Sequence, residues 1–173
     1  MNLYHFSEDP AITHFAPRPS AIYPDQPPLV WAIAETHAAH YALPRDCPRV
    51  ICWADARTTD EDRTRILGVT AKTKVLAVER AWLRRIEVAQ LYQYRLPVET
   101  FESFDATAGY YVSRAAVTPL AVTPLDHLLE RIAGAGIEVR IVPSLWPLYH
   151  AVMHSTLQFS IIRMRNAGPE GAA

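Results

Sequence analysis

The distribution of proline restricts what the first thirty residues of this chain can form. Six of its 14 prolines lie between Pro10 and Pro28. Each proline fixes φ and lacks an amide donor, so this stretch cannot form a helix or a central strand. The same stretch carries Ile12, Phe15 and Ile22. We therefore expect an ordered arm that packs on a folded domain rather than a free linker.

The rest of the chain divides into short apolar, alternating or helically spaced runs. Besides a first strand at 3–7, such runs predict strands at 29–33, 49–53, 74–79, 91–96, 109–113, 137–142 and 159–165. Short helices are predicted at 35–42, 60–67, 81–88, 124–132 and 146–156, the fourth of them beginning at a proline.

These elements do not alternate regularly between strand and helix. The pattern favours an α+β protein with a mixed, mostly antiparallel sheet of about seven short strands over a doubly wound sheet. The length of 173 residues suits one compact domain, which we place at 1–166. Residues 167–173 are predicted to be a disordered tail.

Charge and hydropathy exclude two kinds of partner. With 17 basic and 18 acidic residues, the chain lacks the positive excess of a nucleic-acid-binding domain. It has no run of 18 apolar residues and no signal-peptide pattern, so we expect a cytoplasmic monomer or homodimer that does not associate with membranes. Its two cysteines, Cys47 and Cys52, are expected to be free thiols.

The chain lacks the familiar catalytic signatures. The nucleophile elbow, the glycine-rich phosphate loops and the H-E-x-x-H zinc motif are all missing. His150 and His154 stand four residues apart in a predicted helix, where they would share one face and could bind a metal with a third ligand. They are weak metal candidates, because the same spacing is typical of two histidines on a half-exposed helix.

Arginines form a second group of candidates. In a strand over 159–165, Arg163 and Arg165 would point to one face and form a pair suited to phosphate or carboxylate. The alternative is that both are exposed edge-strand residues that oppose aggregation. Arg45 lies in a rigid turn between Pro44 and Pro48, a location typical of binding residues.

The first predicted strand, LYHFS at 3–7, places a titratable side chain in an apolar run. Alternation puts His5 and Ser7 on the same face. Two interpretations stay open: a polar pair that faces a ligand cleft, or a core histidine satisfied by a backbone carbonyl. Some of the aromatic residues, including Tyr41 and Tyr111, could wall such a cleft.

Stretches over most of the chain resemble an uncharacterised bacterial protein family, a domain of unknown function. They are LYHFSEDP at 3–10, VWAI and PRDCPRV within 30–50, AGYYVS at 108–113, and LWPL with FSIIRMRNA near the end. This resemblance implies no activity.

A more distant resemblance is to the ADP-ribosyltransferase-like superfamily. LYHFS is similar to the first strand of that superfamily, in which a histidine binds the NAD ribose and a following small residue helps to hold the nicotinamide end. Tyr41 matches its aromatic-bearing helix, and Tyr111 and Ser113 lie in a segment similar to the strand after its catalytic glutamate. Where that glutamate is common, this chain has Ala108 and Gly109, so ordinary ADP-ribosyl transfer would lack its carboxylate.

Three functions stay open at this point. The first is binding of a small anionic or nucleotide-type ligand without catalysis. The second is an ADP-ribosyltransferase-like enzyme, or relic of one, that binds NAD. The third is a histidine-based metal-dependent hydrolase. The candidate ligand-binding residues are His5, Ser7, Tyr41, Arg45, Tyr111, Ser113, Arg163 and Arg165.

Overall fold

The computed structural model describes residues 1–70 and 72–171, and this part of the chain forms ten strands in two sheets. The chain is an α+β protein with mostly antiparallel strand pairing, which confirms the predicted fold class. These strands are more numerous than the about seven expected, and they form two sheets rather than the single sheet expected. The chain divides into two compact units, Met1–Arg45 with Gln90–Asp126, and Asp46–Ala89 with His127–Ala173.

The strands, in chain order, are β1 (Leu3–Ser7), β2 (Val30–Ala34), β3 (Arg49–Trp53), β4 (Lys74–Glu79), β5 (Leu91–Leu96), β6 (Glu102–Asp105), β7 (Tyr110–Ser113), β8 (Ala121–Leu125), β9 (Ile137–Val142) and β10 (Gln158–Ile162). The α-helices are α1 (Asp60–Asp62), α2 (Leu83–Val88), α3 (Leu128–Gly134) and α4 (Trp146–Met153). Helix α1 continues into a π-helical turn, Arg63–Leu67, and 3-10 helices form at Glu35–Tyr41, Arg80–Trp82 and Met164–Asn166.

The first unit is built on a six-stranded antiparallel sheet in the order β6-β7-β2-β1-β5-β8. Side chains alternate between its two faces, and one face carries a core made of strand residues and of residues from flanking loops. The buried members of this core are Leu3, Phe15, Val30, Ala32, Ala34, Tyr94, Leu96 and Val117.

The proline-rich arm packs on this unit, as its apolar residues predict. The backbone of Phe15 exchanges two hydrogen bonds with Val117, and Arg18 exchanges two with Leu29. The buried Tyr94 hydroxyl donates to the carbonyl of Asp9, which ties the start of the arm to β5. The arm is therefore an ordered part of the first unit.

The second unit contains a four-stranded sheet in the order β10-β3-β4-β9, with β4 and β9 parallel. Its core combines β3 and β4 with the turn after α1 and with α4; its buried members include Val50, Cys52, Ile66, Leu67, Val75, Ala77, Val152 and Leu157. Cys47 and Cys52 are free and buried, as expected from the sequence, and burial raises the pKa of each thiol to about 11.

Two predicted elements have bounds that differ from those of the structure. The helix predicted at 124–132 begins only at Leu128, because Pro124 and Leu125 belong to β8. Strand β8 lies at the edge of its sheet, where the missing proline amide is tolerated. The predicted strand over 159–165 ends at Ile162, because Arg163 adopts a left-handed conformation with φ of 55° and Met164 starts a 3-10 helix.

Part of the predicted tail makes contacts within the second unit. The Gly168 amide donates to the buried Glu79 carboxylate at 2.9 Å, and its carbonyl accepts from the Trp146 indole at 2.7 Å. Glu170 lies 2.8 Å from His150 Nε2. Residues 172 and 173 of that predicted tail lie outside the described residues.

No helix in the described ranges is long and apolar enough to cross a bilayer.

A polar network joins α1 to the loop before β10. The Asp62 carboxylate accepts hydrogen bonds from the backbone amide and the hydroxyl of Thr156, each at 2.7 Å, and from Arg65 at 2.6 Å. These donors, Arg65 first, hold the pKa of Asp62 well below its ordinary range. The charged carboxylate is thus the form that the fold favours.

We expect acid to remove this stabilisation selectively. A carboxyl group whose pKa is lower in the folded than in the unfolded chain stabilises the fold above about pH 4, and its contribution falls as pH drops towards the folded pKa. Asp62→Asn should lower the melting temperature at pH 7, and its difference from wild type should shrink between about pH 4 and 2.5. Thermal melts across this range, with the exposed Asp60→Asn as control, measure it. A difference in melting temperature between Asp62→Asn and wild type that stays constant with pH would contradict the lowered pKa of Asp62.

Candidate functional site

Strands β1 and β2 pair over only part of their lengths. Their ladder consists of Leu3 with Ala34 and Tyr4 with Ile33. From His5 to Ser7, β1 pairs only with β5. From Val30 to Ala32, β2 pairs only with β7. The gap between these two stretches is called the strand fork below. Backbone groups that face each other across it have no ladder partner, so they are available to side chains or ligands.

The His5 side chain lies at the strand fork. Its Nδ1 is 3.0 Å from the carbonyl oxygen of Trp31, which lies on β2 beyond the last β1–β2 pair. A carbonyl only accepts, so Nδ1 carries the proton and Nε2 of the neutral ring is an acceptor. The ring packs on Phe15 with centroids 4.8 Å apart. A backbone carbonyl satisfies one ring nitrogen, as the core-histidine interpretation predicts, and the half-buried ring makes no hydrogen bond through Nε2 with any described residue. That His5 faces a ligand cleft stays a prediction.

The electrostatics of the strand fork keep His5 neutral. Burial lowers the pKa of the imidazole, and the positive charges of Arg45 and Arg18 lower it further, whereas the hydrogen bond that the ring donates to the Trp31 carbonyl raises it. The ring is therefore uncharged at pH 7 and presents a lone pair rather than a proton. Two guanidinium groups that act on His5 would also act on any anion bound beside it.

Ser7 shares the sheet face of His5, as the alternation of β1 predicts. Its buried hydroxyl accepts a hydrogen bond from the Asp9 amide at 3.1 Å. Ser7 therefore shapes the turn from β1 into the arm, next to the histidine.

Two further predicted residues lie on the same face but apart from the strand fork. Tyr111 is paired with Ala32, which separates it from β1. The Ser113 hydroxyl bonds with the hydroxyl of Thr100 at 2.9 Å and with backbone groups of Ala115 at 3.1 Å. Ser113 thus holds two loops together and is buried.

Tyr41 lies towards the opposite face. Its hydroxyl is 2.6 Å from that of Tyr110, and its ring lies near Phe6, both of which alternate away from His5 and Tyr111. The sheet lies between Tyr41 and Tyr111, so a cleft on one of its faces could use only one of these two candidates.

The predicted arginines have different surroundings. Arg45 is the last residue of the first of the two segments that form the first unit. Its amide donates to Glu8 at 3.0 Å, and its charge lowers the pKa of His5. Arg163 and Arg165 belong to the second unit and do not share a strand face, because β10 ends before them. Arg163 lies 4.0 Å from the Asp46 carboxylate. The predicted anion-binding pair on one strand is therefore wrong in its geometry.

His150 in α4 and His154, the residue directly after this helix, both form hydrogen bonds with neighbouring residues. His154 caps the helix by donating from Nδ1 to the His150 carbonyl at 2.9 Å, and His150 pairs with Glu170. Within residues 1–70 and 72–171, no group of three histidine, cysteine or acidic side chains is placed to hold a metal ion.

Sequence reasoning missed Arg18. It stands in the proline-rich arm, where nothing in the local pattern indicates that its backbone pairs with Leu29, directly before β2. Pairing between an irregular arm and a strand start depends on tertiary contacts, which a single sequence does not reveal. The candidate site considered below therefore combines two predicted residues, His5 and Arg45, with Arg18, which the sequence did not indicate.

Comparisons with curated proteins and with solved structures give no match. A model described as a family of unknown function, DUF6886, matches residues 4–167. The match spans both units and includes the strand fork, the arm and the 3-10 helix after β2. The chain belongs to this family of unknown function.

Proposed function

We propose that the protein binds a small phosphorylated or carboxylated ligand that also carries a hydroxyl group, of the nucleotide or sugar-phosphate type, at the strand fork. The observation that supports this most directly is the hydrogen bond from His5 Nδ1 to the Trp31 carbonyl. This bond fixes the ring and its tautomer, so that Nε2 can accept a hydrogen bond from a ligand hydroxyl. Such preorientation reduces the entropy lost when the ligand binds.

The charges near His5 support an anionic group on the same ligand. Arg18 and Arg45 both act electrostatically on His5, although neither guanidinium is paired with it. Arginine suits phosphate and carboxylate because its planar donors match their oxygens. The proposed site offers a neutral hydrogen-bond acceptor beside two cations. An anion that also carries a hydroxyl group should therefore bind more tightly than an inorganic ion, which would contact the cations alone.

The surroundings of Gly109 favour binding over ADP-ribosyl transfer. The resemblance implies a carboxylate near this position, but Gly109 has φ of 73°, and an added Cβ would lie 2.5 Å from His37 Nδ1. A glutamate does not fit there without rearrangement. NAD binding through His5 remains within this proposal, whereas transfer would need an acid from another position.

The test is ligand-dependent stability and affinity measured on the full chain. We expect AMP or ADP-ribose to raise the melting temperature and to bind in calorimetry, with NAD as a third probe. Adenosine and inorganic phosphate should each bind more weakly, since each lacks one of the two recognised groups. His5→Ala should weaken binding about tenfold, because it removes an oriented acceptor.

His14→Ala is the matched control, since His14 is an exposed histidine of the same arm region. Its affinity should equal that of wild type. Absence of any shift with all three nucleotides at saturating concentration, or equal affinities for His5→Ala and wild type, would refute the proposal.

A further inference from the structure

The two sheets of the described residues have four edge strands, and three of these strands carry features that oppose pairing with another chain. Strand β6 contains Glu102 and Asp105 and has a shift in its register with β7. Strand β8 contains Pro124, and β9 contains Glu138 and Arg140. Charges, prolines and bulges are the usual means by which proteins prevent association between sheet edges.

The fourth edge strand, β10, has none of these features. Its sequence QFSII contains no charged residue and no proline, and its five residues pair with β3 without a register shift. Arg163 and Arg165 lie after the strand, because Arg163 turns into the left-handed conformation. Outside its ladder with β3, the backbone of β10 makes no hydrogen bond with any other described residue. The outward-facing amides and carbonyls of β10 are therefore open to a further strand.

The side chains of β10 leave apolar surface at the same edge. Phe159 is 38% exposed, and Ile161 is half-buried. These two residues pair with Cys52 and Val50, which belong to the buried core of the second unit. Because directly paired residues share a sheet face, Phe159 and Ile161 extend this core to the edge of the sheet, where no further strand follows among the described residues.

We propose that β10 pairs with β10 of a second copy of this chain, which joins two four-stranded sheets into one continuous sheet and forms a homodimer. The pairing is antiparallel and centred on Ser160, because a twofold axis there matches all five residues of one strand with all five of the other. Phe159 of each copy then lies opposite Ile161 of the other, which is a favourable pair of an aromatic and a β-branched residue.

Charge favours a second copy as the occupant of this edge. Self-pairing of an uncharged strand brings no like charges opposite each other, and the formal net charge of −1 causes little repulsion between two copies. The backbone requirement is met as well, since antiparallel strands related by a twofold axis exchange donors and acceptors reciprocally. This proposal is independent of the one for the strand fork, which lies in the other unit.

Sedimentation equilibrium of the full chain tests the pairing. We expect a concentration-dependent equilibrium between the mass of one chain and twice that mass. Phe159→Lys should raise the dissociation constant of the dimer at least about tenfold, because it removes the pair with Ile161 and places a charge on the edge. Ile141→Lys is the matched control, since Ile141 is a 44% exposed isoleucine on β9, at the opposite edge of the same sheet. Its dimer should be as stable as that of wild type.

Amide exchange in the wild-type chain keeps the test valid if a variant fails to fold. Exchange in β10 should slow as the protein concentration rises through the dissociation constant, because the outward-facing amides gain partners, whereas exchange in β8 should stay unchanged. Ser160→Cys, a change of one side-chain atom at the proposed axis, should form a disulfide between copies faster than Ile141→Cys, since opposite residues in an antiparallel pair lie within reach of a disulfide.

Each of the following results would overturn the proposal. The chain stays monomeric at about 0.5 mM, which would leave the edge to an extended segment of another protein. Phe159→Lys leaves the dimer unchanged, or Ile141→Lys weakens it equally. Exchange in β10 does not depend on concentration, or the two cysteine variants cross-link at the same rate.

Discussion

Gly109→Ala should destabilise the protein by about 3 kcal/mol, the sum of left-handed backbone strain and of steric overlap. Gly109 has φ of 73°, a conformation in which an L side chain is strained. The new Cβ would also lie 2.5 Å from Nδ1 and 2.7 Å from Cγ of His37. Chemical denaturation monitored by circular dichroism measures the change in the free energy of unfolding.

Two comparisons separate the causes. Gly136 has φ of 82° but no atom within 4 Å of an added Cβ, so Gly136→Ala should show the backbone strain alone, about 1 kcal/mol. In a double-mutant cycle, His37→Ala should recover much of the overlap in the Gly109→Ala background. If Gly109→Ala costs no more than Gly136→Ala, or if the two changes at 109 and 37 are additive, His37 does not constrain residue 109.

Glu79→Ala should cost about 3 kcal/mol in the second unit, since it leaves buried donors without an acceptor. The Glu79 side chain is only 2% exposed and accepts from the amides of Leu145 at 3.2 Å and Gly168 at 2.9 Å. Removal of the Glu79 carboxylate should release the segment around Gly168, which follows the last 3-10 helix, from its hydrogen bond to β4. Amide exchange at Gly168 should therefore accelerate, alongside a lower free energy of unfolding.

Glu79→Gln keeps one side-chain oxygen as an acceptor and should lose less stability than Glu79→Ala. Glu87→Ala, at an exposed acid on α2, should change stability by less than about 0.5 kcal/mol. Unchanged Gly168 exchange in Glu79→Ala would show that the Trp146 indole alone retains the segment.

Elements with strong local patterns were predictable. The run Ile137–Val142 alternates apolar and polar residues, and Lys74–Glu79 is apolar through its interior; both form strands with the predicted bounds. Pro124 misled the prediction, because proline suits both a helix start and an edge strand, and only its pairing with Tyr92 decides between them. The turn at Arg163 was hidden because a left-handed arginine has no signature in a sequence.

The candidate site was predictable where it depends on a single strand. Period-two alternation is sufficient to place His5 and Ser7 together. It does not reveal that β2 parts from β1, nor that the Trp31 carbonyl lies within reach of the imidazole, because both depend on pairing between distant segments. The pairing of Arg18 with Leu29 was hidden for the same reason.

The interleaving of the two units along the chain has a consequence for synthesis on the ribosome. Leu3 pairs with Leu96, and Arg49 with Ile162, so the central strands of both sheets emerge long before some of their neighbours. Pairing at such sequence separation slows folding, and unpaired strands meanwhile expose edges that can aggregate. Neither unit is a continuous stretch of sequence, so a nascent chain cannot finish one before it begins the other. Maturation of this protein should depend on how long the early strands β1 to β4 are shielded during translation.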